Sequence, residues 1–225
     1  MTEADQIIQA AVAGGAKSLS ENDSKRFLSL FGIPVSHDIL TVDGESAAAA
    51  ADSIGYPVAL KVVGARLTHK TEVGGVVLHV KTGEEIRTEA DRLLKIPGCE
   101  GLLVAEMVGG VRELVCGLTR DPSFGPAVMF GLGGILTEIL KDTVFRIAPL
   151  AETDALAMMS EIRAGKILDA FRGEAAADRR ALAQILIALG RIGLEYERVA
   201  EIDINPLKIL PDGRPVAVDA LVVLK

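Results

Sequence analysis

Few segments leave a chain less choice than Glu201 to Leu224, EIDINPLKILPDGRPVAVDALVVL. Two apolar runs, Val199–Leu210 and Val216–Leu224, flank an Asp212-Gly213 turn, which reads as a closing β-hairpin. Successive side chains on a strand point to opposite faces, so Asp203 and Asn205 share one. Pro206 is expected to disrupt the ladder, and the turn can bring Asp219 beside Asn205. Two carboxylates and an amide oxygen are hard oxygen ligands, suited to a Mg²⁺ ion that keeps waters and bridges to phosphates. A solvated hairpin edge is the plainer alternative. Acids inside apolar strands are costly without a cation, which favours the metal.

The rest of the chain alternates helical and strand-like stretches. Ser20 caps a helix running to Phe31, with Asp23 in its first turn and Gly32 as its stop. Ile33–Val42 reads as a strand, Glu45–Ile54 as an Ala-rich helix, and Pro57–Val63 and Val76–Lys81 as strands around a loop. Glu84–Leu94 follows as a helix. Gly101–Glu106, Val111–Leu118 and Pro126–Phe130 read as strands, and Leu136–Leu150 as two short ones around Lys141-Asp142. Glu152–Ala164 and Asp178–Leu194 are helical. This is an α+β pattern, with no internal repeat and no low-complexity linker, and it reads as two lobes packed together.

Composition narrows the function. In 225 residues, 49% are apolar but only 4% aromatic, so aliphatic side chains must fill the core. The net charge of −7 and the lack of a strongly basic segment argue against a nucleic-acid partner. They do not argue against a nucleotide, which needs only a local set of cations and backbone amides. The longest uncharged run, Pro122–Thr137, is too short and too glycine-broken to cross a membrane. Two cysteines, Cys99 and Cys116, fit a reducing compartment, and the acidic start MTEADQIIQAA is unlike a signal peptide. A cytoplasmic protein is expected.

Three further stretches carry chemistry. Lys61 lies near the end of an apolar strand, on one face with Ala59 and Val63. A lysine there must reach water or meet an anion. The following loop, Gly64–Gly75, holds His69, Lys70 and Gly74-Gly75. Its glycines let a backbone approach a ligand closely, and a histidine titrating near neutrality can carry a proton or a phosphoryl group. An ordinary exposed loop histidine is the alternative. His37 and His79 sit inside strand patterns and receive no role. In VAEMVGGVRELVCGLTRDPSFGPAVMFGLGG, Glu113 interrupts an apolar strand and Arg120-Asp121 ends it. The GLGG loop alone is a weak signal, lacking both the P-loop and the dinucleotide spacing.

Taken together and in order, GIPV, IGYPVALKVV, THKTEVGGV, LLVAEMV, RELVCGLTRDPSFGPAVMFGLGGILTEILKD, FRIAPL and EIDINPL resemble the ATP-grasp domain of ADP-forming acyl-CoA synthetases, relatives of succinyl-CoA synthetase. The resemblance runs from about Ser20 to Leu224. It implies an ATP-grasp fold over 1–225, in which two α+β lobes grip a nucleotide, the smaller at about 22–100 and the larger at about 1–21 with 101–225. By the same resemblance, Lys61 contacts phosphates, with Lys70 offsetting charge beside it. Glu106, Met107 and Val108 form a hinge that meets adenine, Glu113 binds ribose and Arg120 neutralises phosphate. Asn205 and Asp219 hold Mg²⁺, with Asp203 a third ligand. His69 matches a histidine that shuttles phosphate, a feature that places the chain with the acyl-CoA ligases.

The resemblance also implies a partner. Many such synthetases fuse this domain to CoA-binding and ligase domains, for which 225 residues leave no room. The chain is expected to be a separate β subunit that binds ATP or ADP with Mg²⁺ and works in a hetero-oligomer with a CoA-binding α subunit. Other classes stay open: a stand-alone ATP-grasp carboxylate ligase, or a nucleotide-sensing module excised from a protein acetyltransferase or a fused synthetase.

Overall fold

The computed structural model describes residues 1–64, 67, 73–134 and 141–225. The chain divides into two compact units, one of residues 36–107 and one of 1–35 with 108–225. The sequence reading set these divisions near 22 and 100. The helix that it capped with Ser20 belongs to the larger unit, because its Phe27 and Leu28 are fully buried in that unit's core.

The smaller unit holds β1 (Asp38–Thr41), α3 (Gly44–Ile54), β2 (Val58–Val63), β3 (Val76–Val80), α4 (Gly83–Leu93) and β4 (Gly101–Glu106). Its sheet is antiparallel, in the order β1-β4-β2-β3. Val58, Leu60, Val62, Leu102 and Val104 face one way and are buried with Ala47, Ala51, Ile86 and Leu93 of the two helices. Small alanines let α3 lie close, and each large aliphatic removed from water contributes about 1.5–3 kcal/mol. Asp43 and Thr82 start the helices by accepting from the main-chain N–H of Ser46 and Glu85.

The larger unit holds α1 (Glu3–Ala13), α2 (Glu21–Ser29), β5 (Arg112–Asp121), β6 (Gly125–Leu132), β7 (Thr143–Ile147), α5 (Glu152–Glu161), a 3₁₀ turn at Gly165–Leu168, α6 (Arg179–Glu195), β8 (Val199–Ile209), β9 (Pro215–Ala217) and β10 (Ala220–Leu224). The sheet runs β10-β8-β5-β6-β7, with β9 also on β8. Leu114, Cys116, Leu118, Val128, Phe130, Ile202, Ile204, Leu207, Ile209, Val222 and Leu224 all enter one core with Phe27, Met158, Met159, Leu186 and Leu189 of the helices. One face of the sheet is therefore spent on packing. The other face is available for polar groups.

Two readings change here. The strand expected over Ile33–Val42 is only Asp38–Thr41. Pro34 cannot donate to a ladder, its carbonyl instead accepts from Ala217, and Val35 bridges Ala217 in the larger unit. The first helix, Glu3–Ala13, was not anticipated, although Thr2 and Asp5 form a capping box at its start.

Candidate functional site

In the larger unit the closing hairpin carries the candidate metal ligands. Leu207 pairs with Ala217 and Ile204 with Ala220, so Asn205 and Asp219 fall opposite each other between them. Pro206 does not end the strand. β8 continues to Ile209, and the carbonyl of Pro206 accepts from Val218. On the β5 side the register shifts between Leu114 and Cys116, which are paired with Leu207 and Ile204. That β-bulge absorbs the residue without an N–H. It also reverses the alternation beyond it. Ile202, Ile204, Leu207 and Ile209 face the core, which leaves Asp203, Asn205 and Lys208 on the opposite face.

The electrostatics of this face are strained. Burial holds the carboxyl of half-buried Asp203 above the usual carboxylate range, and the negative charges of Glu201 and Asp219 push the same way. Asp219 is half-buried, and its Oδ1 accepts from the N–H of Ala220 at 2.8 Å. Among the described residues no three His, Cys, Asp or Glu side chains converge as a metal cage. The set is two carboxylates and an amide. It suits Mg²⁺, which takes one or two carboxylates and fills its remaining positions with water and phosphate. A cation here would relieve the mutual repulsion of the acids.

Glu113 stands on the same face of β5, directly across from Lys208. The Lys208 ammonium lies 3.6 Å from Oε1 of Glu113 and 3.5 Å from the carbonyls of both Val108 and Gly110. Lys208 was missed in the sequence. Plain alternation from Asn205 puts it toward the core, and only the bulge turns it outward. Gly134, in the GLGG loop, has φ +71°, and a Cβ there would sit 2.5 Å from Oε2 of Glu113. The positive φ favours glycine here, and the carboxylate packs close beside it.

The smaller unit carries its own candidates. Lys61 is half-buried in the middle of β2, paired with Val76 on one side and Leu103 on the other. It faces away from the helix-covered side that holds Leu60 and Val62. The Glu106 carboxylate accepts from the main-chain N–H of His37 at 2.8 Å, and its own N–H donates to the carbonyl of His37. One oxygen of that side chain is thus engaged by the main chain. His69 and Lys70 lie outside the described residues.

Arg120 is a correction. It shares the parity of Leu118 and so reaches the helical side of the sheet, not the face of Glu113 and Asp203. Its guanidinium donates to the carbonyls of Gly193, Tyr196 and Val199 at 2.7, 2.8 and 2.6 Å. It closes the C-terminal end of α6, where a cation is favoured by the helix dipole and the last carbonyls lack partners. A phosphate role is not what this geometry supports.

Residues 10–224 match the family of ATP-grasp domains. The chain is 40% identical over 231 residues to the β subunit of acetate–CoA ligase (ADP-forming) I of Pyrococcus furiosus, covering 100% of this chain and 99% of that one. It is 38% identical to acetate–CoA ligase (ADP-forming) I of Archaeoglobus fulgidus, over 99% of this chain but 33% of that longer protein. Among solved structures it is similar to the dinucleotide-forming acetyl-coenzyme A synthetase 1 of Ca. Korarchaeum cryptofilum, with a TM-score of 0.88 and 42% identity over 99% of this chain and 100% of that one. That structure is a complex with coenzyme A and Mg-AMPPCP, its phosphohistidine segment pointing towards the nucleotide binding site.

Proposed function

Because this chain belongs to the ATP-grasp family, among the relatives of the β subunits of ADP-forming acetate–CoA ligases, we propose that it is the nucleotide-binding β subunit of an acid–thiol ligase. The reaction interconverts acyl-CoA, ADP and phosphate with the free acid, CoA and ATP. The observation that carries this reading is the end-to-end match at 40% identity to a free-standing β subunit.

In this reading Lys61 meets the nucleotide phosphates as a point charge. The backbone at Met107 and Val108 meets the base, and Glu113 accepts from the ribose hydroxyls. Asn205 and Asp219, with Asp203 beside them, hold Mg²⁺, which when bound spreads the charge of the transferring phosphoryl group. Phosphoryl transfer asks a protein mostly for positioning and for charge aimed at the phosphate oxygens. The decoration of the two sheet faces supports both demands.

His69 is the phosphate carrier in this proposal, and Lys70 offsets charge next to it. A ring nitrogen of the neutral imidazole attacks phosphorus and forms an N–P bond as the bond to the donor oxygen breaks. The phosphoryl group then passes to the terminal oxygen of ADP, and in the reverse direction from ATP to the partner. Acid activation and CoA chemistry belong to a CoA-binding α subunit, so the working enzyme is a hetero-oligomer. No helix among the described residues is long and apolar enough to cross a membrane, and a cytoplasmic setting is part of the proposal.

The test is radiolabel transfer from γ-labelled ATP in the reconstituted complex. His69→Ala should bind nucleotide within about twofold of the parent and fail to label the partner. Label reaching the partner at the parental rate in that variant would refute the shuttle.

A further inference from the structure

We propose that Lys208 is a positioning residue of the nucleotide site. Its ammonium gathers the carbonyls of Val108 and Gly110 and the carboxylate of Glu113, and so sets the spacing between the backbone that meets the base and the acid that meets the ribose. The inference rests on the roles given above to Val108 and Glu113.

Three observations carry it. The first is the arrangement around the ammonium. Three acceptors lie at 3.5, 3.5 and 3.6 Å, one a carboxylate and two main-chain carbonyls. Lysine has three donors and no acceptor, so one ammonium can address all three. The distances are those of a charge centred among its neighbours, not bonded tightly to one. The Lys208 side chain is only 21% exposed, and that of Glu113 is 35% exposed, so water screens the attraction only in part.

The second is the path of the main chain. Residues 107–111 leave β4 and enter β5. At Gly110 φ is +93°, and a Cβ would fall 2.2 Å from the carbonyl of Ile209, the residue after Lys208. The connecting segment is therefore laid against β8 where Lys208 emerges. Only glycine permits that approach.

The third is the bulge. A lysine at this point of an ordinary ladder would lie on the buried face. The extra residue at Asn205-Pro206 turns Lys208 outward, onto the face of Glu113, Asp203 and Asn205. A single irregularity thereby accommodates Pro206 and delivers the ammonium to Glu113. The second oxygen of Glu113 sits against Gly134. The carboxylate is thus held between the glycine loop and Lys208.

Lys208 does not touch the reacting phosphates in this account. Its removal should degrade ribose recognition and spare the metal-dependent contribution. The test uses the full chain with Mg²⁺ and compares calorimetric affinities for ADP and 2′,3′-dideoxy-ADP. The parent should prefer ADP, and Glu113→Gln should erase the preference. Lys208→Met, which keeps the length of the side chain, should cut the preference by about tenfold, or about 1.4 kcal/mol. It should leave the affinity for the dideoxy nucleotide within about twofold. Lys208→Arg should recover most of the loss, because it restores the cation. Retention of the full preference in Lys208→Met, while Glu113→Gln loses it, would overturn the positioning role and leave the ribose reading standing. Equal weakening of both nucleotides by Lys208→Met would also overturn it, because that marks a general structural role. Retention of the preference in Glu113→Gln would overturn the ribose reading, and this inference with it.

Discussion

The two sheets share a plan and differ in charge. Each is antiparallel and buries one face beneath helices. On its other face the smaller sheet presents Lys61, set among strand residues that are otherwise apolar. The larger sheet presents Glu113, Asp203, Asn205 and Lys208, with Asp219 across from Asn205. Packing does not explain these polar groups, because they belong to neither hydrophobic core. Taken separately, hard oxygen ligands on the larger sheet suit a metal with its polyphosphate, and a lysine on the smaller sheet suits an anion. The difference teaches that the helical faces hold the two main cores, while the opposite faces, which also bury Ala59, Leu103, Ala105 and Val115, carry the polar groups.

That division can be broken by substitution. Asp219→Ala should have the largest effect. Groups that merely support metal ligands cost about 10–100-fold when lost, so removal of a charged ligand should exceed about 100-fold in Mg²⁺-dependent ADP affinity. Calorimetry with and without chelator reads this, and binding without metal should change little. Lys61→Met should weaken ADP by about 10–100-fold, the range expected for losing a charge-assisted hydrogen bond. Unlike Asp219→Ala, it should do so with and without metal. If the two variants gave the same metal dependence, the two faces would not be chemically distinct.

Asp203→Asn should cost less, about threefold in Mg²⁺ affinity, since the ion retains waters and the other ligands. It carries a pH signature. The folded protein raises the Asp203 pKa through burial and through Glu201 and Asp219. A raised carboxyl contributes stability that is present below the unfolded value, about 3.9, and is lost as pH rises through the folded value. The metal-free Asn variant should therefore unfold at a higher temperature than the parent at neutral pH, and this advantage should shrink as pH falls toward about 4. Mg²⁺ affinity of the parent should increase as pH rises through the same window, because the ionised form is the ligand. Thermal scans across pH without metal provide the check.

Arg120→Met should have the smallest effect on nucleotide. It strips the cation from three carbonyls at the end of α6, so stability should fall by about 3 kcal/mol, or about 6–12 °C in Tm. ADP affinity should stay within about twofold. A large loss of affinity in a folded Arg120→Met sample would return Arg120 to the phosphates.

The site was legible wherever local pattern sufficed. Asp203, Asn205 and Asp219 could be placed from a period-two alternation and a turn. Lys61 could be placed from its position in an apolar run. Lys208 could not, because it depends on a bulge that exists only once β8 is paired with β5. Arg120 was misread for a related reason. Its charge and its place beside a glycine-rich stretch suggested an anion, while its partners are carbonyls 73 to 79 residues further along the chain. The split of Ile33–Val42 was equally hidden, since its Pro34 and Val35 are held by Ala217, near the other end of the sequence. The helix at Glu3–Ala13 was readable from its Thr2 and Asp5 cap and was passed over.

The most direct test of the central claim is an ADP titration of the unmodified chain, run in Mg²⁺ and again in chelator. The account predicts one nucleotide per chain with Mg²⁺, and an affinity that collapses when the metal is removed. A folded sample that binds no ADP in Mg²⁺, or binds it equally well in chelator, would contradict the assignment of the acidic sheet face to a metal–nucleotide complex.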